Sequence, residues 1–558
     1  MADLSVRARA LSRWEALKQE RSSWLPHWRE IARYTHPRAG RLTNLLSETN
    51  RGERRDQDIL DNTAVRALRT LGSGLMAGMT SPARPWFRLT TSDPELDESV
   101  PVKTWLHDVQ ELMGMVFARS NTYLALHSCY EELGAFGTCA SVVVDDFDTV
   151  LRHHQLTIGQ YAIAMSGEVV PDTLYREFSM TVEQIVRRFG RDKCSLSVRR
   201  LYDDRNYDAW VPVLHAIEPR HDRDMRKRDA VNMAWRSVYI EPGAEGDKLL
   251  AEGGFKEFPA MCARWRVYGS DVYGASPAMD ALGDAKQLQL QQKRKAQAID
   301  YMTLPPLQAP SQLKNQRVNM LPGGITFVDT PGAQQAVRSM FDVRLDLSHM
   351  LMDIQDVRER INSAFYADLF LMLYSMRDND PRMTATEVAE RHEEKLLMLG
   401  PVLERLQGEI LSPAIEVCFS KLLAANMLPP APEELGGRQL NVEFVSMLAQ
   451  AQRSIATNSV DRFVMALGQV ATAKPEVLDK LDADYWADSY ADTLGIDPRL
   501  IVPGEQVALI RQQRAQAQQQ AQQAQAMEQM AGAAQKLGSV DTAQPNALTD
   551  TMQAFSGY

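Results

Sequence analysis

Two stretches of nearly equal length carry helical periodicity, and a longer one follows them. A helix is expected from Ser276 to about Met302. Ser276 suits the N-cap, Pro277 the first helical position and Asp280 the positive end of the helix dipole, while Pro305 and Pro306 stop the run. A second is expected from Asp342 to about Tyr366. At ~1.5 Å per residue each spans roughly 38 Å, and equal lengths predict an antiparallel pair. Their faces differ. Leu347, Met350, Ile354, Val357 and Ile361 recur at three- and four-residue spacing on the second, a seam for a neighbouring helix. The first offers only Leu282, Ala285, Leu288, Ala296 and Ile299, with Lys286, Lys293, Arg294 and Lys295 among glutamines on its polar face. So polar a helix is expected to bridge solvent or to pack thinly among copies of itself.

The insert between them, residues 303–341, is rich in breakers, among them Pro310, Pro322 and Pro331. Its one apolar run, Ile325–Val328 with Phe327, reads as a short strand that needs a neighbouring chain to complete its pairing. After the second helix comes Ser375–Met383, whose tip holds Arg377, Asp378, Asn379, Asp380 and Arg382; a solvated loop is the default reading. A third helix starts at Thr384, where Thr384 and Glu387 form a capping box, and runs to about 428 with kinks expected at Pro401 and Pro413.

Upstream, helix is expected over 4–34 with a break at Pro26, from about Asp61, and over 101–135. Gly74–Leu89 permits close packing and then turns into an extended segment; no Gly-Lys-Ser/Thr follows, so a phosphate loop is excluded. Thr138–Val144 is β-branched and predicts a buried strand, ending at Asp145, Asp146 and Asp148. Three carboxylates there suit either a Mg²⁺ site of a metal-dependent nuclease or a polar hairpin turn, and the absence of a nearby Glu-x-Lys or His constellation favours the turn. Thr181 and Gln184 form another capping box, and 196–268 reads as a β-rich subdomain. The fold class is therefore α+β, predominantly helical. Residues 433–504 suggest short helices. The Gln/Ala-rich 505–536 reads as a helix held only by copies of itself, or as a disordered tail, and the last twenty residues as disordered.

Composition narrows the function. A net charge of −10 argues against tight general binding to DNA. The five cysteines form no CxxC pair and read as buried free thiols in a reducing compartment. Arg7, Arg9 and Arg13 precede no apolar core, so no signal peptide is expected, and the longest apolar run is too short to span a bilayer. No cofactor and no catalytic residue is expected.

Five strings carry a resemblance: GLMAGMTSPARPWFRL at 74–89, YREFSMTVEQIVRRFG at 175–190, VYGASPAMDAL at 272–282, VRERINSAFYADLF at 357–370 and EEKLLMLGPVLERLQ at 393–407. In order and spacing the chain resembles the head-to-tail connector, or portal, family of short-tailed bacteriophages. The resemblance implies a ring of twelve subunits at one capsid vertex of the virion, made in the host cytoplasm, with double-stranded DNA passing along its axis. It implies a wing (1–270), a stem (271–302 and 342–370), a clip (303–341), a channel loop (371–383), a long kinked helix (384–430) and a crown (431–504). Arg377 to Arg382 would face DNA, Leu347 to Ile361 would pack subunits, and Pro310, Pro322, Ile325, Phe327 and Pro331 would dock partners. Those partners would be the terminase packaging motor, the major capsid and scaffolding proteins, the tail adaptor and the internal core proteins. The rival readings are the nuclease above and a helical scaffold or adaptor without a channel.

Overall fold

The structure is a computed structural model. It describes residues 5–39, 55–310 (except 94–95, 97–98 and 228), 321, 324–328, 338–339, 348–375, 399–436, 440–445, 463–470, 474, 476, 481–487, 502 and 504–538. The chain forms two compact units, one of Met1–Ser92 with Asp108–Ala466 and one of Asp93–His107 with Leu467–Tyr558.

The larger unit opens with α1 (Val6–Ser22) and α2 (Leu25–Tyr34), separated just before Pro26, the expected break. Helix α3 (Thr63–Met79) follows, then β1 (Phe87–Thr91), α4 (Val100–Arg119), whose part from Asp108 belongs to this unit, and α5 (Thr122–Phe136). The β-branched run becomes β2 (Thr138–Asp146), which turns directly into β3 (Val150–Leu156). Strands β4 (Tyr161–Met165) and β5 (Pro171–Thr181) lead into α6 (Val182–Phe189), whose capping box forms as expected between Thr181 and Gln184. After α7 (Leu196–Asp203) come β6 (Trp210–Pro219), β7 (Trp235–Ile240), β8 (Ala251–Phe255) and β9 (Ala260–Arg264).

Two sheets organise this half. Strands β4-β5-β6-β7-β8 form an antiparallel five-stranded sheet, and β3-β2-β9 a second of three strands. One cluster joins α1 to the larger sheet through Trp14 and Leu17 against Tyr175, Leu214 and Ile240. Another joins α6 and α7 to it through Ile185 and Val198 against Val213. Alternating side chains thus supply two apolar layers, one on each face of the sheet.

The long helix expected from Ser276 is α8 (Pro277–Thr303), and the Ser276 hydroxyl accepts the Met279 N–H at 3.1 Å. In the insert, β10 (Leu307–Pro310), β11 (Ile325–Val328) and β12 (Arg338–Ser339) form a three-stranded sheet in the order β11-β10-β12. Ile325–Val328 therefore has a partner in its own chain, Leu307–Pro310, where pairing from a neighbouring chain was expected. A proline-rich segment can still offer its carbonyls as an edge, which the breaker count obscured.

The second long helix, α9 (Ser348–Ala364), ends where Tyr366 turns left-handed (φ 54°), and α10 (Ala367–Ser375) starts immediately. The expectation of one helix to 370 with a loop from 371 is thus corrected: 371–375 is helical. Leu347, the Thr384 capping box and the whole Arg377–Arg382 tip lie outside the described residues, as do Pro322 and Pro331. Residues 399–406 are helical and continue through a π-helical turn, Gln407–Leu411, into α11 (Ser412–Ala424). The π turn sits just before Pro413 and accommodates its missing N–H. It also carries Glu409, whose carboxylate accepts the backbone N–H of Arg264 at 2.9 Å and the Arg264 guanidinium at 2.6 Å. Strand β13 (Leu440–Phe444), in a region expected to be helical, pairs antiparallel with β1. All five cysteines are free and buried, as expected.

The smaller unit contains α12 (Gly504–Gly538), within which the Gln/Ala-rich segment is helical. Leu509, Ile510 and Met527 are exposed along it. No described helix is long and apolar enough to cross a membrane.

Candidate functional site

Two ties fix the direction of the helix pair. Arg360 meets Asp284 at 3.2 Å, and Gln291 donates to Asp353. Seven residues forward in α8 correspond to seven residues back in α9, so the helices run antiparallel in register, two turns between ties.

Their packing departs from the sequence expectation on both sides. Ile354, Val357 and Ile361 are buried within the subunit, Ile354 only 2% exposed. The seam expected to pack subunits together is therefore covered by the chain itself, where α9 lies against α8 and α3. Met350 is only half-buried. Helix α8 is likewise not thin throughout. Pro277, Ala278, Ala281, Leu282, Ala285 and Leu288 are buried, because small alanines let its first turns sit in the core. Beyond Gln289 it changes character: Leu290, Ala296, Ile299 and Met302 are exposed, as are Leu351 and Met352 on α9. The pair is half core and half projection.

The polar face divides in the same way. Lys286 pairs with Glu30 of α2 at 2.8 Å and is not free. Lys293 and Arg294 are exposed and Lys295 half-buried; among the described residues none has a carboxylate partner. At the tip of the projection, Ile325 is largely open while pairing with Leu307, and Phe327 and Pro310 stand in register with Ala309 and Val328.

Where the projection meets the body, one carboxylate ties three helices. Asp61 accepts the Thr63 N–H at 2.9 Å at the start of α3, Arg358 of α9 at 2.7 Å and Gln292 of α8 at 2.9 Å. Gln289 closes the knot, accepting the N–H groups of Leu60 and Asp61 and donating to the Asp61 carbonyl at 2.8 Å. Burial pushes the Asp61 pKa upward, but hydrogen bonds from Thr63 and Arg358 outweigh it and hold the carboxyl below its ordinary value. In the sequence Asp61 reads only as the start of a helix. Gln289, Gln292 and Arg358 give no signal among so many neighbouring polar residues.

The carboxylates at the end of β2 do not converge. Asp145 pairs with Lys421 of α11. Asp146 accepts the Thr149 hydroxyl at 2.8 Å and the Asp148 N–H at 3.3 Å, and this holds its pKa down. The segment is the hairpin between β2 and β3, with Phe147 exposed at its tip. Among the described residues no group of three or more His, Cys, Asp or Glu side chains is placed to hold a metal ion.

Residues 7–502 match the family model described as bacteriophage head to tail connecting protein. The chain belongs to that family. Over 558 residues, 100% of both chains, it is 62% identical to a protein of Bordetella phage BPP-1 named a probable portal protein. It is 47% identical over 542 residues, 97% of each chain, to the portal protein of Salmonella phage epsilon15. A chain in the neck of an empty gene transfer agent particle is a remote likeness. It has 13% identity and a TM-score of 0.35, covering 78% of this chain and 91% of that one.

Proposed function

We propose that this connector-family chain is the subunit of a portal ring at one capsid vertex of a short-tailed phage, located in the virion at the head–tail junction. Twelve copies would surround an axial channel for double-stranded DNA during packaging and ejection. The α8–α9 pair would be the stem, the small sheet at its tip the clip, and residues 1–270 the wing. The segment after α10, with Arg377, Asp378, Asn379, Asp380 and Arg382, would be the channel loop. The later helices would form the crown. The clip would dock the terminase motor and then the tail adaptor. Capsid, scaffolding and internal core proteins would meet the wing and crown.

The observation that carries this reading is the 62% identity to a probable portal protein along the full length of both chains. The stem supports it physically. Apolar side chains at Leu290, Ile299, Leu351 and Met352 stand uncovered on a projection of two helices, and neighbouring copies in a ring would cover them. We read the chain as no enzyme, since Asp145 and Asp146 are engaged with Lys421 and Thr149. The test is negative-stain imaging of the purified oligomer. Rings with an axial hole are expected; a solid assembly or an isolated monomer would overturn the proposal. A metal-dependent nicking assay should be silent.

A further inference from the structure

Beside the Asp61 knot lies an open groove of about 1160 Å³ between the start of α3, α9 and α10. Five arginines line it, Arg38, Arg55, Arg66, Arg69 and Arg358, against Asp56 and Asp61. The Arg358 charge is already matched by Asp61 at 2.7 Å. Among the described residues the other four arginines have no carboxylate partner, and Arg38, Arg55, Arg66 and Arg69 are all exposed. Arg66 and Arg69 stand one turn apart on the same face of α3. Their field reaches beyond the groove. Burial and the Arg69 charge together push the neighbouring His36 down to about 4.

A protein with a net charge of −10 that gathers in one groove four guanidiniums without a carboxylate partner among the described residues, with Asp56 the one further acid in the lining, has a local site for polyanions. Arginine forks suit oxyanions held in two-point contacts, and no lysine shares the lining. The ligand must supply charge at comparable density. A nucleic-acid strand carries one negative charge about every 3.4 Å along its axis. Position argues the same way: Leu371 of α10 borders the groove, four residues before the end of the helix that leads into the proposed channel loop.

We propose that this groove is a contact site for the phosphate backbone of double-stranded DNA, with Arg66 and Arg69 as its principal cations. It rests on the portal reading above. The contact is independent of base sequence, because only phosphates are read. Its strength is limited by the acidic remainder of the chain, so DNA is touched without being held.

The test uses full-length oligomer and a short fluorescent DNA duplex, with binding followed by anisotropy across a salt series. The double variant Arg66→Ala with Arg69→Ala removes two exposed side chains and should assemble normally. It should weaken duplex binding about ten-fold at low salt and reduce the salt slope by about two, near 0.9 per phosphate contact. A charge-matched control, Arg187→Ala with Arg200→Ala on α6 and α7, should leave both unchanged. Equal loss in the control, or an unchanged slope in the groove variant, overturns the proposal. So does poly-glutamate outcompeting the duplex for the groove, which reassigns it to an acidic protein segment. Images of the same samples keep the two readings apart: rings with an axial hole and no effect of the groove variant reject the groove alone, whereas absence of rings rejects the portal reading.

Discussion

Arg358 donates to Asp61 from both Nε and Nη2, at 3.1 and 2.7 Å, and Gln292 shares the same carboxylate oxygen. Through this one side chain both long helices are fastened to the first turn of α3. Asp61→Asn keeps the shape but removes the charge that Arg358 faces. Arg358 is partly exposed, so water recovers some of the loss, and a destabilisation of about 1–3 kcal/mol is expected. The shift in denaturant midpoint measures it. Because the folded-state pKa of Asp61 is depressed, its contribution is complete above the ordinary carboxylate pKa, about 4, and is lost as pH falls below that. The Asn variant should therefore differ from the parent at pH 7 and converge on it in acid.

The two sides of α9 should respond oppositely to the same substitution. Ile354 is buried against the subunit's own helices, so Ile354→Asp should cost several kcal/mol and yield misfolded chain. Met352 is 69% exposed, so Met352→Asp should leave the circular dichroism spectrum and melting of the isolated subunit unchanged. Native mass spectrometry of the Met352 variant should then show impaired ring formation. Intact rings would mean that neighbouring copies do not cover this face.

Gly137 and Gly274 lie back to back where α5 ends and the approach to α8 begins. Gly137 has φ +74°, and a Cβ there would stand 2.1 Å from the Gly274 carbonyl oxygen; a Cβ on Gly274 would stand 2.3 Å from the Gly137 carbonyl oxygen. Backbone cannot move aside as a flexible side chain does. Gly137→Ala should abolish soluble expression. Gly283→Ala, in open space inside α8, should instead stabilise the subunit by about 0.5–1 kcal/mol, read as a raised melting temperature.

Two buried histidines, His153 and His215, and the half-buried His36 make the fold sensitive to mild acid. Burial, helped by His154, pushes His153 down to about 4; burial and Arg69 do the same to His36. His215 lies well below its ordinary value through burial and the charges of Arg176 and Arg188. The unfolded chain takes up these protons near pH 6.5, whereas the folded chain resists until about pH 4 at His36 and His153 and holds His215 well below its ordinary value. Stability should therefore fall as pH drops through that window, by up to about 2 kcal/mol per histidine between pH 6.5 and 5. His153→Gln, which can still meet Thr122, should reduce the slope of urea midpoint against pH. An unchanged slope would place the titration elsewhere.

Much of the architecture was written locally. Ser276, Pro277 and Asp280 started α8 where the caps indicated, Thr181 and Gln184 closed their box, and the β-branched run at 138 became a buried strand, since each signal acts within a few residues. The equal lengths expected of the two long helices were not found among the described residues: α8 has 27 residues and α9 has 17, and the expected start of α9 at Asp342 lies outside them. The sequence could not say which side of α9 the subunit keeps for itself. A three- and four-residue repeat requires a partner helix but does not name the molecule that supplies it, and only the folded chain brings α3 and α8 onto Ile354, Val357 and Ile361. The pairing of Ile325–Val328 with Leu307–Pro310 escaped for a related reason: hydrogen bonds between backbones carry little side-chain signature. The Asp61 knot and the arginine groove are built from residues nearly 300 positions apart, so their meeting is a property of the tertiary structure alone.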